Sequence, residues 1–319
     1  MKANEIINSD VIDALKGLPD NSIDCCVTSP PYFGLRDYGV EGQIGLEKTP
    51  EEYIAKLTEV FRHVRRVLKP EGTLWLNIGD SYAGSGKGAA NYPENASKYK
   101  QGTNRGSVSS AKIAGNTDIP GYKPKDLIGI PWMLAFALRS DGWYLRQDII
   151  WYKPNAMPES VKDRCTKSHE YIFLLSKSNR YFFNNDAIKN PAKKQEKVTY
   201  NYQVGGKKRI ALNQRDPALR KNTNRCYTPS TMVNKRDVWS VNTKPFKKAH
   251  FAVFPEQLVE PCIKAGCPKD GIVLDTFMGS GTTAIVAKKL GRKFIGIELN
   301  STYVELANER LKQELGLFF

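Results

Sequence analysis

The sequence predicts an α/β fold, and three observations carry that prediction. Apolar runs alternate with helix-spaced stretches over residues 23–78. Residues 272–315 repeat the alternation in the order strand, helix, strand, helix. The apolar run 272–275 also enters a Gly279-Ser280-Gly281 turn that opens a helix, the place where open α/β sheets hold their ligands.

Taken in order, residues 23–27 form a short apolar run ended by Thr28-Ser29-Pro30-Pro31. That pattern reads as a buried strand followed by a loop. Tyr53, Leu57, Val60, Phe61, Val64 and Leu68 recur at helical spacing, and Lys69-Pro70-Glu71-Gly72 reads as the stop signal before a strand at 73–78. Residues 84–122 are rich in Gly, Ser, Asn and Lys and nearly lack aliphatic side chains, so a mobile loop is expected. Next come an apolar helical stretch at 127–138, strands at 143–151 and 171–176, and a further edge segment at 180–184. The stretch 187–249 has few aliphatic residues but carries Tyr200, Tyr202, Tyr227, Trp239 and Phe246. A strand at 272–275, a helix at 282–290, a strand at 294–298 and a helix at 301–315 complete the reading. The expected organisation is an α/β half at 1–186, a basic insert at 187–249 and a second α/β half at 250–319.

Composition narrows the function classes. The chain has 319 residues, 40% hydrophobic and 25% charged, which is ordinary for a globular protein. It has no apolar run long enough for a membrane span. Its start, Met1-Lys2-Ala3-Asn4-Glu5, has no apolar signal segment, so a cytoplasmic protein is expected. The six cysteines form no C-x-x-C pair and no His/Cys cluster, so they read as reduced thiols and no metal is expected. The net charge is +15, and residues 187–249 hold 16 Lys/Arg against 3 Asp/Glu. Cations clustered at that density point to a polyanionic partner, because they gain affinity by releasing counterions from phosphates.

The first chemical motif is Val273-Leu274-Asp275-Thr276-Phe277-Met278-Gly279-Ser280-Gly281-Thr282-Thr283. Glycines past a strand let a ligand approach the backbone, and the Thr282 and Thr283 hydroxyls suit a helix N-terminus. Glu298 ends the following strand, about where a nucleotide-binding fold places an acid on ribose hydroxyls. A dinucleotide site would want a third glycine where Thr282-Thr283 stands, and Ser85-Gly86-Lys87-Gly88 lacks P-loop spacing. A nucleoside-like ligand without phosphates fits better.

The second motif is Ser29-Pro30-Pro31-Tyr32, directly after the 23–27 strand. The residue before each proline is pushed toward extended geometry, so the segment makes a stiff rim. The Ser29 hydroxyl and the Pro30 carbonyl can accept hydrogen bonds from an amino group, while Tyr32 offers a ring face to the attached base. Cys25 and Cys26 read as core residues. Pro261-Cys262 resembles the nucleophile pair of cytosine-C5 enzymes, but it lies in a predicted helix without that family's other motifs.

Together, Ser29-Pro30-Pro31-Tyr32 and the Asp275–Thr282 motif resemble the superfamily of N4-cytosine and N6-adenine DNA amino-methyltransferases. The order, with catalytic motif first, target recognition in the middle and cofactor motif last, is similar to the beta group of that family. The stretch from His250, Phe251, Phe254 and Pro255 to Leu258 resembles the motif before its cofactor loop, and 291–298 resembles its second cofactor-binding strand. Thr276 departs from the usual proline.

The resemblance implies a Rossmann-like S-adenosylmethionine-dependent methyltransferase fold with circularly permuted motif order and an inserted basic target-recognition region. It implies S-adenosyl-L-methionine held by Asp10, Thr28, His250, Phe251, Phe254, Pro255, Asp275, Phe277, Gly279, Ser280, Gly281, Thr282, Thr283 and Glu298. The carboxylates of Asp275, Glu298 and Asp10 suit its sulfonium charge. Ser29, Pro30, Pro31 and Tyr32 are the expected catalytic residues, acting on a flipped base in double-stranded DNA. Lys207, Lys208, Arg209, Arg215 and Arg220 are the expected phosphate contacts. A serine opening the tetrapeptide points to cytosine N4 ahead of adenine N6. A homodimer and a cognate restriction endonuclease are both compatible with this family. RNA or protein methylation fits less well, since related enzymes place the cofactor motif first. A non-enzymatic DNA-binding protein accounts for the basic stretch but not for the intact tetrapeptide.

Overall fold

The computed structural model describes residues 2–35, 37–83, 119–192, 231–243 and 255–316. Strand β1 (Glu5–Asn8) leads to helix α1 (Val11–Lys16), whose N-terminus is capped by the Asp10 carboxylate accepting from Ile12 N and Asp13 N. Strand β2 (Ile23–Thr28) is buried at every position. Helix α2 (Pro50–Val67) starts at a capping box in which Thr49 and Glu52 satisfy each other's backbone N–H groups. Its apolar face, from Tyr53 and Leu57 to Phe61 and Val64, lies in the core.

Strand β3 (Leu68–Ile78) begins earlier than its sequence suggests. Lys69-Pro70-Glu71-Gly72 is not a stop between elements. It is a bulge within the strand, where pairing with β2 jumps from Ile23–Leu68 to Cys25–Thr73. Helix α3 (Ile130–Ser140) starts after a left-handed Gly129 rather than at Leu127, because Leu127 bridges to Tyr82. The Asp80 carboxylate accepts from Gly129 N and Ile130 N at 3.0 Å and anchors that start. At the end of the expected mobile loop, Ile119 is buried in the core and Tyr122 packs against it; residues 84–118 lie outside the described set.

Strands β4 (Tyr144–Tyr152) and β5 (His169–Ser176) form the longest antiparallel pairing. Residues 180–184 make no strand, only single backbone bonds such as Phe182 N to Glu71 O. Two short strands, β6 (Asn190–Pro191) and β7 (Met232–Val233), pair with each other within a separate unit, Ile188–Lys235. Strand β8 (Val238–Ser240) falls inside the basic stretch by sequence, yet it pairs with β4 at the edge of the main sheet. Helix α4 (Glu256–Gly266), β9 (Ile272–Asp275), α5 (Thr282–Lys289), β10 (Lys293–Glu298) and α6 (Ser301–Leu315) follow.

The main sheet runs β1-β10-β9-β2-β3-β5-β4-β8, with β5 antiparallel to both of its neighbours and the other pairs parallel. From β2 the chain proceeds to β3 on one side, and from β9 to β10 on the other. The two strands are adjacent, so the loops leaving their carboxyl ends diverge and open a crevice between them. No helix among the described residues is long and apolar enough to cross a membrane.

Candidate active site

Each wall of the crevice is one of the two motifs. On the first, Thr28 is fully buried and Ser29 half-buried, followed by a buried Pro30 and a half-buried Tyr32. The Tyr53 hydroxyl, from α2, donates to the Pro31 carbonyl at 2.7 Å and fixes the rim from beneath. The Tyr32 hydroxyl donates to Glu170 Oε2 at 2.7 Å, and Asn77 Nδ2 reaches the same oxygen at 3.3 Å. Burial, reinforced by the Glu170 charge, pushes the Tyr32 phenol well above its usual value, with the Ser29 side chain opposing. The phenol therefore remains a donor.

On the second wall, Gly279 and Gly281 take φ of 52° and 82°, a region that favours glycine. A Cβ on Gly281 would stand 3.0 Å from that of Ala307. Helix α5 starts at Thr282, as expected, but neither threonine is its cap residue. Gly281 occupies the cap position with no side-chain bond, and Thr283 instead reaches back to Asp275 Oδ2 at 2.6 Å. Asp275 is buried and its other oxygen accepts from Thr28 at 2.7 Å and from Phe277 N at 3.1 Å. Burial pushes its carboxyl up, and the hydrogen bonds from Thr283, Thr28 and Phe277 N pull it back.

Asp275 thus shapes the loop from inside, with its charge spent on protein donors. Thr276, the departure from the family pattern, places its hydroxyl 3.1 Å from that of Thr28. Since the Thr28 proton goes to Asp275, Thr276 is the donor. A proline there could not make this bond.

Glu298 is the half-buried carboxylate at this wall. Its Oε2 accepts from Gly279 N at 2.8 Å and its Oε1 from Asn300 N at 2.9 Å. Each carboxylate oxygen has a second acceptor position, which suits ribose hydroxyls. Burial pushes this carboxyl up, and the two backbone bonds oppose the shift. Left-handed glycines without side chains beside such an acceptor fit the nucleoside end of S-adenosyl-L-methionine.

Several supporting residues escaped the sequence reading, among them Arg310, Gly296 and Glu170. Arg310 donates to Ser280 O at 2.8 Å and Ser280 Oγ at 3.0 Å, clamping the loop from α6. Gly296 leaves room for Met278, whose Cε would otherwise lie 2.3 Å from a Cβ. Glu170 is described above. An amphipathic helix in the sequence hides Arg310 among its exposed charges, so no local signal marks it. Of the remaining expected residues, Pro255 stands buried at the start of α4, and Asp10 caps α1. Phe277 packs partly buried against the core. Cys25, Cys26 and Cys262 are buried thiols, the first two pushed well up by desolvation. His250, Phe251, Phe254, Lys207, Lys208, Arg209, Arg215 and Arg220 lie outside the described residues.

Comparison with known proteins identifies the family and the fold. The model of the N6/N4 methyltransferase family, described as DNA methylase, matches residues 23–309. Type II methyltransferase M.SmaI of Serratia marcescens is 46% identical over 311 residues, covering 98% of this chain and 91% of that protein. The structure of the PvuII DNA methyltransferase (cytosine-N4-specific) is similar with a TM-score of 0.62 at 18% identity, covering 97% of this chain and 86% of that one. TTHA0409 of Thermus thermophilus, in its S-adenosyl-L-methionine complex, gives 0.58 at 22% identity, covering 99% and 96%. The chain therefore belongs to the N6/N4 DNA methyltransferase family, S-adenosyl-L-methionine-dependent enzymes that methylate base amino groups.

Proposed function

We propose that this chain methylates the exocyclic amine of a base flipped out of duplex DNA, cytosine N4 ahead of adenine N6. The observation that carries the reading is the bond from Thr28 to Asp275. It fixes the Ser29–Tyr32 rim against the loop suited to the cofactor, so the two reactants are held in one crevice. Bound at that loop, S-adenosyl-L-methionine supplies an electrophilic methyl group.

The chain's own residues do the rest by positioning and electrostatics. An exocyclic amine is a poor nucleophile because its lone pair is delocalised into the ring. The Ser29 hydroxyl and the Pro30 carbonyl accept hydrogen bonds from its two N–H groups and favour a pyramidal nitrogen. As the N–CH3 bond forms and the S–CH3 bond breaks, one of the two protons is released to solvent and the other stays on the product. Tyr32 stacks on the extruded base and offsets part of the few kcal/mol that flipping costs. Lys207, Lys208, Arg209, Arg215 and Arg220 hold phosphates, which positions the duplex without reading it. Ser29 at the head of the tetrapeptide supports cytosine, by resemblance to cytosine enzymes.

Radiolabelled methyl transfer to unmethylated duplex DNA, RNA and protein tests the reaction, and digestion of the labelled DNA to nucleosides identifies the base. Label in N4-methylcytosine is expected. N6-methyladenine would overturn the choice of base, and label confined to RNA or protein would overturn the substrate.

A further inference from the structure

Tyr32 does not stand alone at the rim. Strand β5 is antiparallel, so its first residues lie at the edge where β2, β3 and β4 end. That topology brings Glu170 of β5, Asn77 of β3, Lys153 just past β4 and Tyr32 just past β2 to one point. Lys153 pairs with Glu170 Oε1, while Oε2 takes the Tyr32 hydroxyl and Asn77 Nδ2. Asn77 Nδ2 also donates to Tyr171 O at 3.1 Å, which fixes the amide. The Lys153 ammonium lies 4.3 Å from the centre of the Trp151 ring. Beneath the phenol, Gly79 has no side chain, and a Cβ there would stand 2.7 Å from Tyr32 Cε2.

We propose that Glu170, supported by Lys153 and Asn77, is a positioning residue that holds the Tyr32 ring in the plane where a flipped base stacks. This rests on the reading of Tyr32 as the stacking surface. The Lys153 and Glu170 side chains are only 18% and 15% exposed. An ion pair withdrawn from water to that extent is a poor source of stability, since an apolar pair of similar size serves a fold as well or better. Its placement instead answers a geometric need. A phenol held at its hydroxyl and floored by glycine cannot swing away when no base is present, so less freedom is lost when the base arrives.

The test compares Tyr32→Phe, Glu170→Ala and the double variant in the full-length protein. Single-turnover methyl transfer, extrusion of a fluorescent base analogue at the target position and calorimetric cofactor affinity are measured. Each single variant is expected to lose about ten- to hundredfold in rate, the range of a hydrogen bond to a charged group. Each should also show a weaker extrusion signal and unchanged cofactor affinity. The double variant should be no worse than either single one, because both remove the same bond. Equal losses from Glu170→Ala in wild-type and Tyr32→Phe backgrounds would overturn the proposal, as would wild-type extrusion in Glu170→Ala.

If Glu170→Ala fails to fold, Glu170→Gln with Lys153→Met keeps a neutral acceptor for Tyr32 and should extrude near the wild-type level. A folded protein of that kind without extrusion would equally overturn it. Impaired Tyr32→Ala beside unimpaired Glu170→Ala and Tyr32→Phe removes only this inference. Wild-type rates in both Ser29→Ala and Tyr32→Ala remove the reading of the site itself.

Discussion

Thr28 Oγ1 donates to Asp275 Oδ1 across 2.7 Å, joining residues that are 247 positions apart in the chain. Both are buried, and both end neighbouring strands. The bond ties the Ser29–Tyr32 rim to the 275–283 loop, so the two motifs are held together rather than merely close.

Replacing Thr28 with Val removes that donor while keeping the shape. The buried Asp275 oxygen then loses one partner, at a cost of about 1–3 kcal/mol. Urea unfolding should show this loss, and methyl transfer should fall by more than the stability change alone explains. A variant destabilised as expected but fully active would show that the bond serves only the fold.

Gly279→Leu places a branched side chain at a φ of 52°, at roughly 1–2 kcal/mol of backbone strain. The fold should survive and cofactor binding should be lost. Calorimetry showing normal affinity in a folded variant would exclude this loop as the cofactor site.

Ser29→Ala and Tyr32→Ala should fail differently. The first loses an acceptor used as the nitrogen becomes nucleophilic, so transfer slows with little change in DNA or cofactor affinity. The second loses the stacking surface, so a fluorescent base analogue should report less extrusion as well. Both should keep normal cofactor binding.

Glu298 gives the site a pH dependence. Its carboxyl is pushed up by burial, so on acidification it takes a proton before an ordinary glutamate does. Cofactor affinity should fall as pH drops through that raised value, and Glu298→Gln should flatten the profile. The folded chain holds this proton more tightly than the unfolded one. The group's contribution to folding is therefore present at low pH and lost as pH rises through its folded value. Affinity and stability should move in opposite directions, which calorimetric titrations and thermal melts across the same buffers would test.

Neutralising Lys207, Lys208, Arg209, Arg215 and Arg220 together should weaken DNA binding and flatten its salt dependence, by about 0.9 in log–log slope per lost phosphate contact. Cofactor affinity should not change. An unaltered slope would mean that these side chains are merely solvated.

The strands and helices flanking both motifs were legible because their signals are local. Apolar runs end just before Ser29-Pro30 and at Asp275, and α6 follows a plain periodicity. Helix α2 was legible in its body but not at its start, although Thr49-Pro50-Glu51-Glu52 spells a capping box. The bulge at Lys69–Gly72 was not legible, since Pro-Glu-Gly reads as a turn and only pairing with β2 keeps it in the sheet. Strand β8 is too short to announce itself and exists because β4 offers an edge. At the site, the motif residues were legible as types but not as partners. That Thr283 serves Asp275 rather than the helix depends on how the loop between them folds back, and that Glu170 bonds Tyr32 depends on a contact between segments 138 residues apart.

The adjacency of β2 and β9 also governs when the site can come into being. The β2–β9 pairing at Cys25–Val273 and Cys26–Leu274 forms only after most of the chain has been made. At about 5–20 residues per second of synthesis, the interval between Thr28 and Asp275 is on the order of ten to fifty seconds. Until then one edge of the fully buried strand β2 lacks its partner, and an apolar strand with an open edge invites pairing with other chains. Closing so long a loop also makes for slow folding. The order of the elements, with β2 and β9 so far apart in the chain, therefore leaves that edge of β2 open until residues 272–275 have been made.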